Sequence, residues 1–150
     1  MTADDPHDLS RFLVAQDEVI HGNATTFDRA MREVRAGEKV SHWMWFVYPQ
    51  LRALGRSATA RHFGIADLHE ARAYWGHPVL GARLREAARA TLVSGKRESV
   101  AIFGDIDALK LRSCLTLFLA VAPADVDLLA SLDHFYDGVP DPVTIAALGT

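Results

Sequence analysis

Apolar residues recur along this chain at helical spacing, and capping residues punctuate them. Asp5 and Pro6 read as an N-cap and a first helical residue. Leu9, Phe12, Leu13 and Gln16 continue one side of a helix that runs to about His21, where Gly22 and Asn23 stop it. Thr25 or Thr26 opens a second helix with Phe27, Ala30, Met31 and Val34 on its buried side, and Gly37 ends it. The stretch 41–50, SHWMWFVYPQ, breaks this rhythm. Its alternation of Trp43, Trp45 and Val47 against Met44, Phe46 and Tyr48 fits a strand or a short helix buried nearly all round, and the capped helices around it favour the helix.

Beyond it, 51–56 is short and breaks at Gly55, and 57–62 makes another turn or two of helix. Asp67 and Glu70 have the spacing of a reciprocal capping box for a helix reaching Trp75. His77 and Pro78 open a longer amphipathic helix whose apolar face is Val79, Leu80, Leu84, Ala87, Ala88, Thr91 and Leu92, stopped by Gly95. One or two turns at 99–103 precede Gly104. Asp105 or Asp107 then caps the most hydrophobic segment, 108–122, where Leu111, Cys114, Leu115, Phe118 and Val121 share a face broad enough to make this helix central. Pro123 ends it, Asp125 caps the next through about Tyr136, and Asp141 caps a last short helix from Pro142 to near Leu148. The pattern predicts an all-α fold, a compact irregular or orthogonal bundle of seven to nine helices. It forms a single domain over 1–150 with 1–5 loose, and it contains no convincing hairpin and no βαβ repeat.

Composition narrows the function classes. With 49% hydrophobic and 23% charged residues in 150, the chain is an ordinary globule, long enough to bury about 70% of its unfolded surface without a metal or disulfide. A net charge of −3, from well-mixed basic and acidic residues, argues against a general nucleic-acid binder while leaving room for local phosphate binding. The single cysteine excludes an intrachain disulfide and a multi-cysteine metal site, and Cys114, set among leucines, reads as a small buried hydrophobe. Without a basic-then-apolar leader or an apolar run near 18 residues, the expectation is a soluble cytoplasmic protein off the membrane, a monomer or weak homodimer.

The chain has seven histidines but no H-x-x-x-H pair, and His62, His69 and His77 fall on different elements, so neither a metal nor another cofactor is expected. Walker A, G-x-G-x-x-G, G-x-S-x-G and deaminase signatures are missing, and no motif assigns a reaction. The remaining candidates flank the two greasiest segments. His42 places a ring nitrogen beside aromatic surface that excludes water. Trp43 and Trp45 diverge by about 200° on a helix, so either one lies in the core and the other on a cleft wall or partner surface, or both are core. Lys110 and Arg112, in the first turns of a hydrophobic helix, oppose its dipole and need an anionic partner, either Asp105 and Asp107 or a bound anion.

The expected pocket therefore lies between the aromatic stretch and the central helix. Gln16, Trp45, Gln50, Lys110 and Ser113 would hold an anionic or nucleotide-like small molecule, with His42 and Asp17 as candidate catalytic acid or base. Glu70 is a further acid–base candidate, while Arg52, Arg56 and Arg61 read as a solvated face. The alternative is a non-enzymatic interaction or regulatory domain that presents an exposed aromatic patch from Trp43 or Trp45.

Several of these residues recur in a known pattern: Asp8, Leu9, Arg11 and Phe12 with Ala15, Gln16 and Asp17, then Ala36 and Gly37 ahead of the run 41–46. Pro49, Gln50 and Leu51 follow with Leu54 and Gly55, then 71–74 and 77–81. Ile102, Phe103, Gly104, Asp107, 109–111, Ser113, 116–118, Gly138 and Pro140 complete it. In these the chain resembles, over nearly its whole length, a small bacterial family of unknown function whose members have often been labelled calpastatin. The resemblance implies an all-helical domain and carries no assigned activity. The eukaryotic inhibitor of that name is a disordered repeat protein, whereas this composition is that of a packed globule. One departure is 20–25, IHGNAT, longer and more polar than the family's corresponding connection.

Overall fold

The structure, a computed structural model, describes residues 4–149, with 20 and 21 as backbone only. The loose start expected at 1–5 therefore lies, for 1–3, outside the described residues. Asp5 caps the first helix, but across a turn. Its carboxylate accepts the amides of Leu9 (2.7 Å) and Ser10 (3.0 Å), while Asp8, just before Leu9, takes φ 51°, so α1 begins at Ser10 rather than Pro6 and spans Ser10–Asp17.

Its other end is also earlier than the apolar pattern suggests. Glu18 is extended, and Val19–His21 (β1) pairs antiparallel with Ala24–Thr25 (β2) about Gly22, a small ribbon where no convincing hairpin was expected. Tertiary hydrogen bonding decides this, because the carbonyl of Glu18 accepts both the amide (2.8 Å) and the hydroxyl (2.9 Å) of Thr26. Thr25 then caps α2 (Thr26–Ala36) in a reciprocal box with Asp28, and Gly37 closes it at φ 81°.

The aromatic stretch is a short helix, α3 (Met44–Val47), followed by a 3-10 turn at Arg52–Leu54, α4 (Ala58–Phe63) and α5 (Leu68–Gly76). Asp67 caps α5 as the spacing implies. Glu70 reaches back to the amide of Ala66 rather than that of Asp67, and its other oxygen meets Arg11 at 2.6 Å. α6 (Leu80–Ala90) is capped by His77, whose Nδ1 accepts the amides of Val79 and Leu80. Val79, expected on the buried face, is consequently exposed at that cap.

α7 (Ser99–Val121) is two helices meeting at Gly104, with α8 (Val126–Tyr136) and α9 (Pro142–Ala147) after it. α7 packs against α5, α8 and α9, and its Leu111, Cys114, Leu115, Leu117 and Phe118 are buried. Burial pushes the Cys114 thiol far above its ordinary range, which leaves it a neutral packing group. Among the described residues the architecture is thus an irregular all-α bundle of nine α-helices, the bent α7 counted as one, with one small ribbon, and none of the helices is long and apolar enough to cross a membrane. The aromatic stretch rests on the first part of α7, where Phe103 meets Trp43 and Tyr48 edge-on at 6.4 and 5.7 Å between ring centroids.

Candidate functional site

One carboxylate shapes the loop that leads into α3. Glu33 Oε1 accepts the amides of Val40 and Ser41 and the indole N–H of Trp43, all at 2.9 Å, and Oε2 accepts the Ser41 hydroxyl at 2.6 Å. Burial raises the pKa of this carboxyl, but the hydrogen bonds from Ser41, Val40 and Trp43 outweigh it and hold it below the ordinary value. Pinned in this way, Trp43 is 1% exposed and belongs to the core. Trp45, two residues on, diverges from it and stays half-buried as a cleft wall.

Against that wall lies Lys110. Its ammonium sits 4.2 Å from the centroid of the Trp45 ring and 2.9 Å from Asp107 Oδ1. Asp107 Oδ2 pairs with Lys39 at 2.9 Å, and Lys39 also donates to the Ser41 carbonyl at 2.7 Å. Partial burial raises the Asp107 carboxyl, and the two ammonium groups more than reverse it, so it titrates below its ordinary value. Asp107 rather than Asp105 is therefore the internal partner of Lys110, one carboxylate shared by two cations.

Trp45 and Lys110 stand between two clefts. The first, about 320 Å³, is lined by Lys39, His42, Thr59 and Asp107 as well as this wall. The second, about 410 Å³, adds Gln50, Arg56, Arg112 and Ser113, with Ile106 and Leu109 at its side. His42, Trp45, Gln50, Lys110 and Ser113 thus gather around one wall, in two adjoining clefts rather than one pocket. Arg112 donates its Nε–H to the Val139 carbonyl (3.0 Å), and the Ser113 hydroxyl is held by the Leu109 carbonyl and the Asp141 carboxylate, both at 3.1 Å.

Gln16 and Asp17 do not reach this wall. Gln16 is 1% exposed with its carboxamide fully engaged: Nε2 donates to the Phe46 carbonyl (2.8 Å) and the Tyr74 hydroxyl (3.3 Å), and Oε1 accepts from Arg83 (3.0 Å). Asp17, one residue round the helix, pairs with Arg83 at 2.8 Å and faces solvent. Glu70 is committed to Arg11, so His42, exposed on the rim of the first cleft, is the acid–base candidate at the site.

Glu33 and Lys39 escaped the sequence reading because one is an ordinary helix-surface position and the other lies in a loop without periodicity. Arg56, read as part of a solvated face, lines the second cleft while remaining exposed. A further cleft of about 380 Å³ lies between the start of α5 and the end of α9, lined by Leu51, Leu68, His69, Arg72 and Leu148. Asp67 already satisfies the helix start there. Among the described residues no group of three or more histidine, cysteine or carboxylate side chains could hold a metal ion.

A family model described as a protein of unknown function (DUF1810) matches residues 6–148. The chain belongs to this family. Like the resemblance read from the residues, the family is without an assigned activity. The fold is similar to the crystal structure of the conserved hypothetical protein Rv1873 from Mycobacterium tuberculosis, at 43% identity and a TM-score of 0.88 over 97% of this chain and 99% of that one. No curated protein matches the chain.

Proposed function

We propose that the protein binds a small anionic, nucleotide-like metabolite in the clefts on either side of the Trp45–Lys110 wall. The observation that carries this reading is the Lys110 ammonium, held on the indole face and sharing a single carboxylate with Lys39. An ammonium has three donors, and one carboxylate does not neutralise two cations, so a ligand anion completes the charge balance. Arg56 and Arg112 add guanidinium groups in the second cleft, and Trp45 adds a flat wall. His42 supplies a ring nitrogen at the rim of the first, as ligand donor or, for a metabolite that is processed, as general acid or base.

The test is a thermal-shift panel of nucleotides, sugar phosphates and inorganic phosphate on the wild-type protein and Lys110→Met. A ligand at about a hundredfold over its Kd stabilises by about 2.7 kcal/mol, a shift of several degrees for a chain of this size. The expected result is such a shift in the wild type and its loss in Lys110→Met, whose fold, judged by circular dichroism, is retained. A panel without any response removes this reading.

A second reading has its own observation. Ile106, Leu109 and Val143, at the side of the second cleft, are 71%, 67% and 60% exposed, an apolar group suited to a protein partner. It replaces the exposed aromatic patch expected from the sequence, since Trp43 is buried and Trp45 only half open. Leu109→Glu tests it: an associated species on sizing that reverts to monomer in the variant supports a partner face, and a wild-type monomer at high concentration speaks against self-association there.

A further inference from the structure

Gln50 is 8% exposed, yet its carboxamide makes no hydrogen bond with any described residue. Only its backbone carbonyl is engaged, by the amide of Ile65 at 2.9 Å. Among the described residues no buried side-chain nitrogen or oxygen is both sealed from solvent and unpaired, so the amide of Gln50 keeps an opening. That opening is the cleft of about 410 Å³ that Gln50 lines beside Trp45, Arg56, Lys110 and Arg112. The contrast with Gln16 is instructive, because that buried carboxamide is bonded at both ends within the protein. Solvent reaching through the cleft satisfies this amide in the free protein, so a ligand that fills the cleft must replace both its donor and its acceptor partners.

The groups around it define what could do so. A carboxamide sets an acceptor and a donor side by side, which complements the adjacent donor and acceptor on the edge of a nucleobase. Arg112 packs its guanidinium 5.7 Å from the Tyr136 ring centroid and hydrogen-bonds within the described protein only through Nε–H, which leaves the N–H groups of its terminal nitrogens for an anion. Lys110, with one carboxylate contact, has donors to spare. The cleft volume falls in the range of pockets that hold small molecules.

We propose that Gln50 is the base-reading residue of the second cleft, pairing with the donor–acceptor edge of a nucleobase while Arg112 and Lys110 take the phosphate attached to it. This rests on the anion-binding reading above and names its ligand class, a nucleoside phosphate.

Titration calorimetry with the four ribonucleoside 5′-monophosphates and with ribose 5-phosphate tests it on the wild type, Gln50→Leu and Lys110→Met. Leucine keeps about the same volume and removes an amide that bonds nothing in the protein, so the melting temperature of Gln50→Leu should be unchanged or higher. At least one nucleotide should bind the wild type about tenfold or more tightly than ribose 5-phosphate does. Gln50→Leu should erase that margin and leave ribose 5-phosphate binding as it was, whereas Lys110→Met should weaken both. Equal binding of nucleotides and ribose 5-phosphate by the wild type, a margin that survives in Gln50→Leu, or a melting temperature lowered by several degrees in that variant would each overturn base reading, while ribose 5-phosphate binding would leave the anion site standing. Failure of all five compounds to bind would overturn both.

Discussion

Glu33 shows how much of this site hangs on a single side chain. Its four accepted hydrogen bonds fold the loop before α3, send Trp43 into the core and so leave Trp45 to meet Lys110. Glu33→Gln removes the charge and one acceptor oxygen, and it should lower stability by about 1–3 kcal/mol in urea unfolding near neutral pH. The pH dependence has a definite sign. Because the folded Glu33 carboxyl titrates below its ordinary value of 4.5, its stabilisation is complete above that value and is lost as pH falls through the depressed one. Asp107 acts in the same direction from its ordinary 3.8 downward. Melting temperatures followed from about pH 6 to about pH 3 should therefore fall at the acid end, and Glu33→Gln should flatten the early part of that fall. A variant curve parallel to the wild type would show that Glu33 is not the group responsible. From the sequence, the divergence of Trp43 and Trp45 was legible in their two-residue spacing. Which of them faced the cleft was not, because the deciding carboxylate lies ten residues away on another element.

At the scale of elements, the bend in α7 separates two tasks. Before Gly104, Phe103 packs under Trp43 and Tyr48; after it, Asp107 and Lys110 turn toward the clefts. Gly104 has φ 84° and ψ 167°, a region essentially reserved for glycine, and a Cβ added there would meet no heavy atom within 4 Å. The effect of Gly104→Ala is therefore a backbone effect alone, expected at about 1–3 kcal/mol in thermal or urea unfolding. A variant as stable as the wild type would mean that the chain passes this point without the bend. The other glycine with a demanding position is Gly81, where a Cβ would lie 2.1 Å from the Trp75 carbonyl and force α5 and α6 apart. Most element starts were readable beforehand because Thr25, Ser57, Asp67, Asp125 and Asp141 each accept a hydrogen bond from an amide in the first turn. The local signals fail at Pro6, at His21, at Val79 and at Asp105 and Asp107, where a tertiary partner or an unusual cap replaces them: neither aspartate caps the segment 108–122, which continues α7 past the bend at Gly104, and the Asp107 carboxylate is taken by Lys39 and Lys110.

The whole molecule is tied across its first half by Arg11. Its Nε–H donates to the His62 carbonyl, Nη1 to the carbonyls of His7 and Asp8, and Nη2 to the Gly64 carbonyl and the Glu70 carboxylate. Every N–H of the guanidinium is thereby used, and the ion pair with Glu70 is almost fully buried. Arg11→Ala leaves Glu70 as a buried charge without its cation and should cost about 3–5 kcal/mol, seen as a reduced urea midpoint. Arg11→Lys should not restore it, since an ammonium has three donors where five are needed. Full stability in Arg11→Lys would show the clamp to be incidental.

Local chemistry thus determined what this chain is: a helical bundle, with Cys114 and the hydrophobic face of α7 inside it, because caps and apolar periodicity act between residues a few positions apart. It also singled out His42, Trp45, Gln50, Lys110 and Ser113 as polar or aromatic groups beside the greasiest segments. Only the tertiary structure decided which of these share a wall, and that Gln16 and Asp17 do not. Gln16 is consumed by Phe46, Tyr74 and Arg83, partners 30, 58 and 67 residues away along the chain. A hydrogen bond over that distance leaves no periodic trace, so the difference between a satisfied amide at position 16 and an open one at position 50 exists only once the helices have packed.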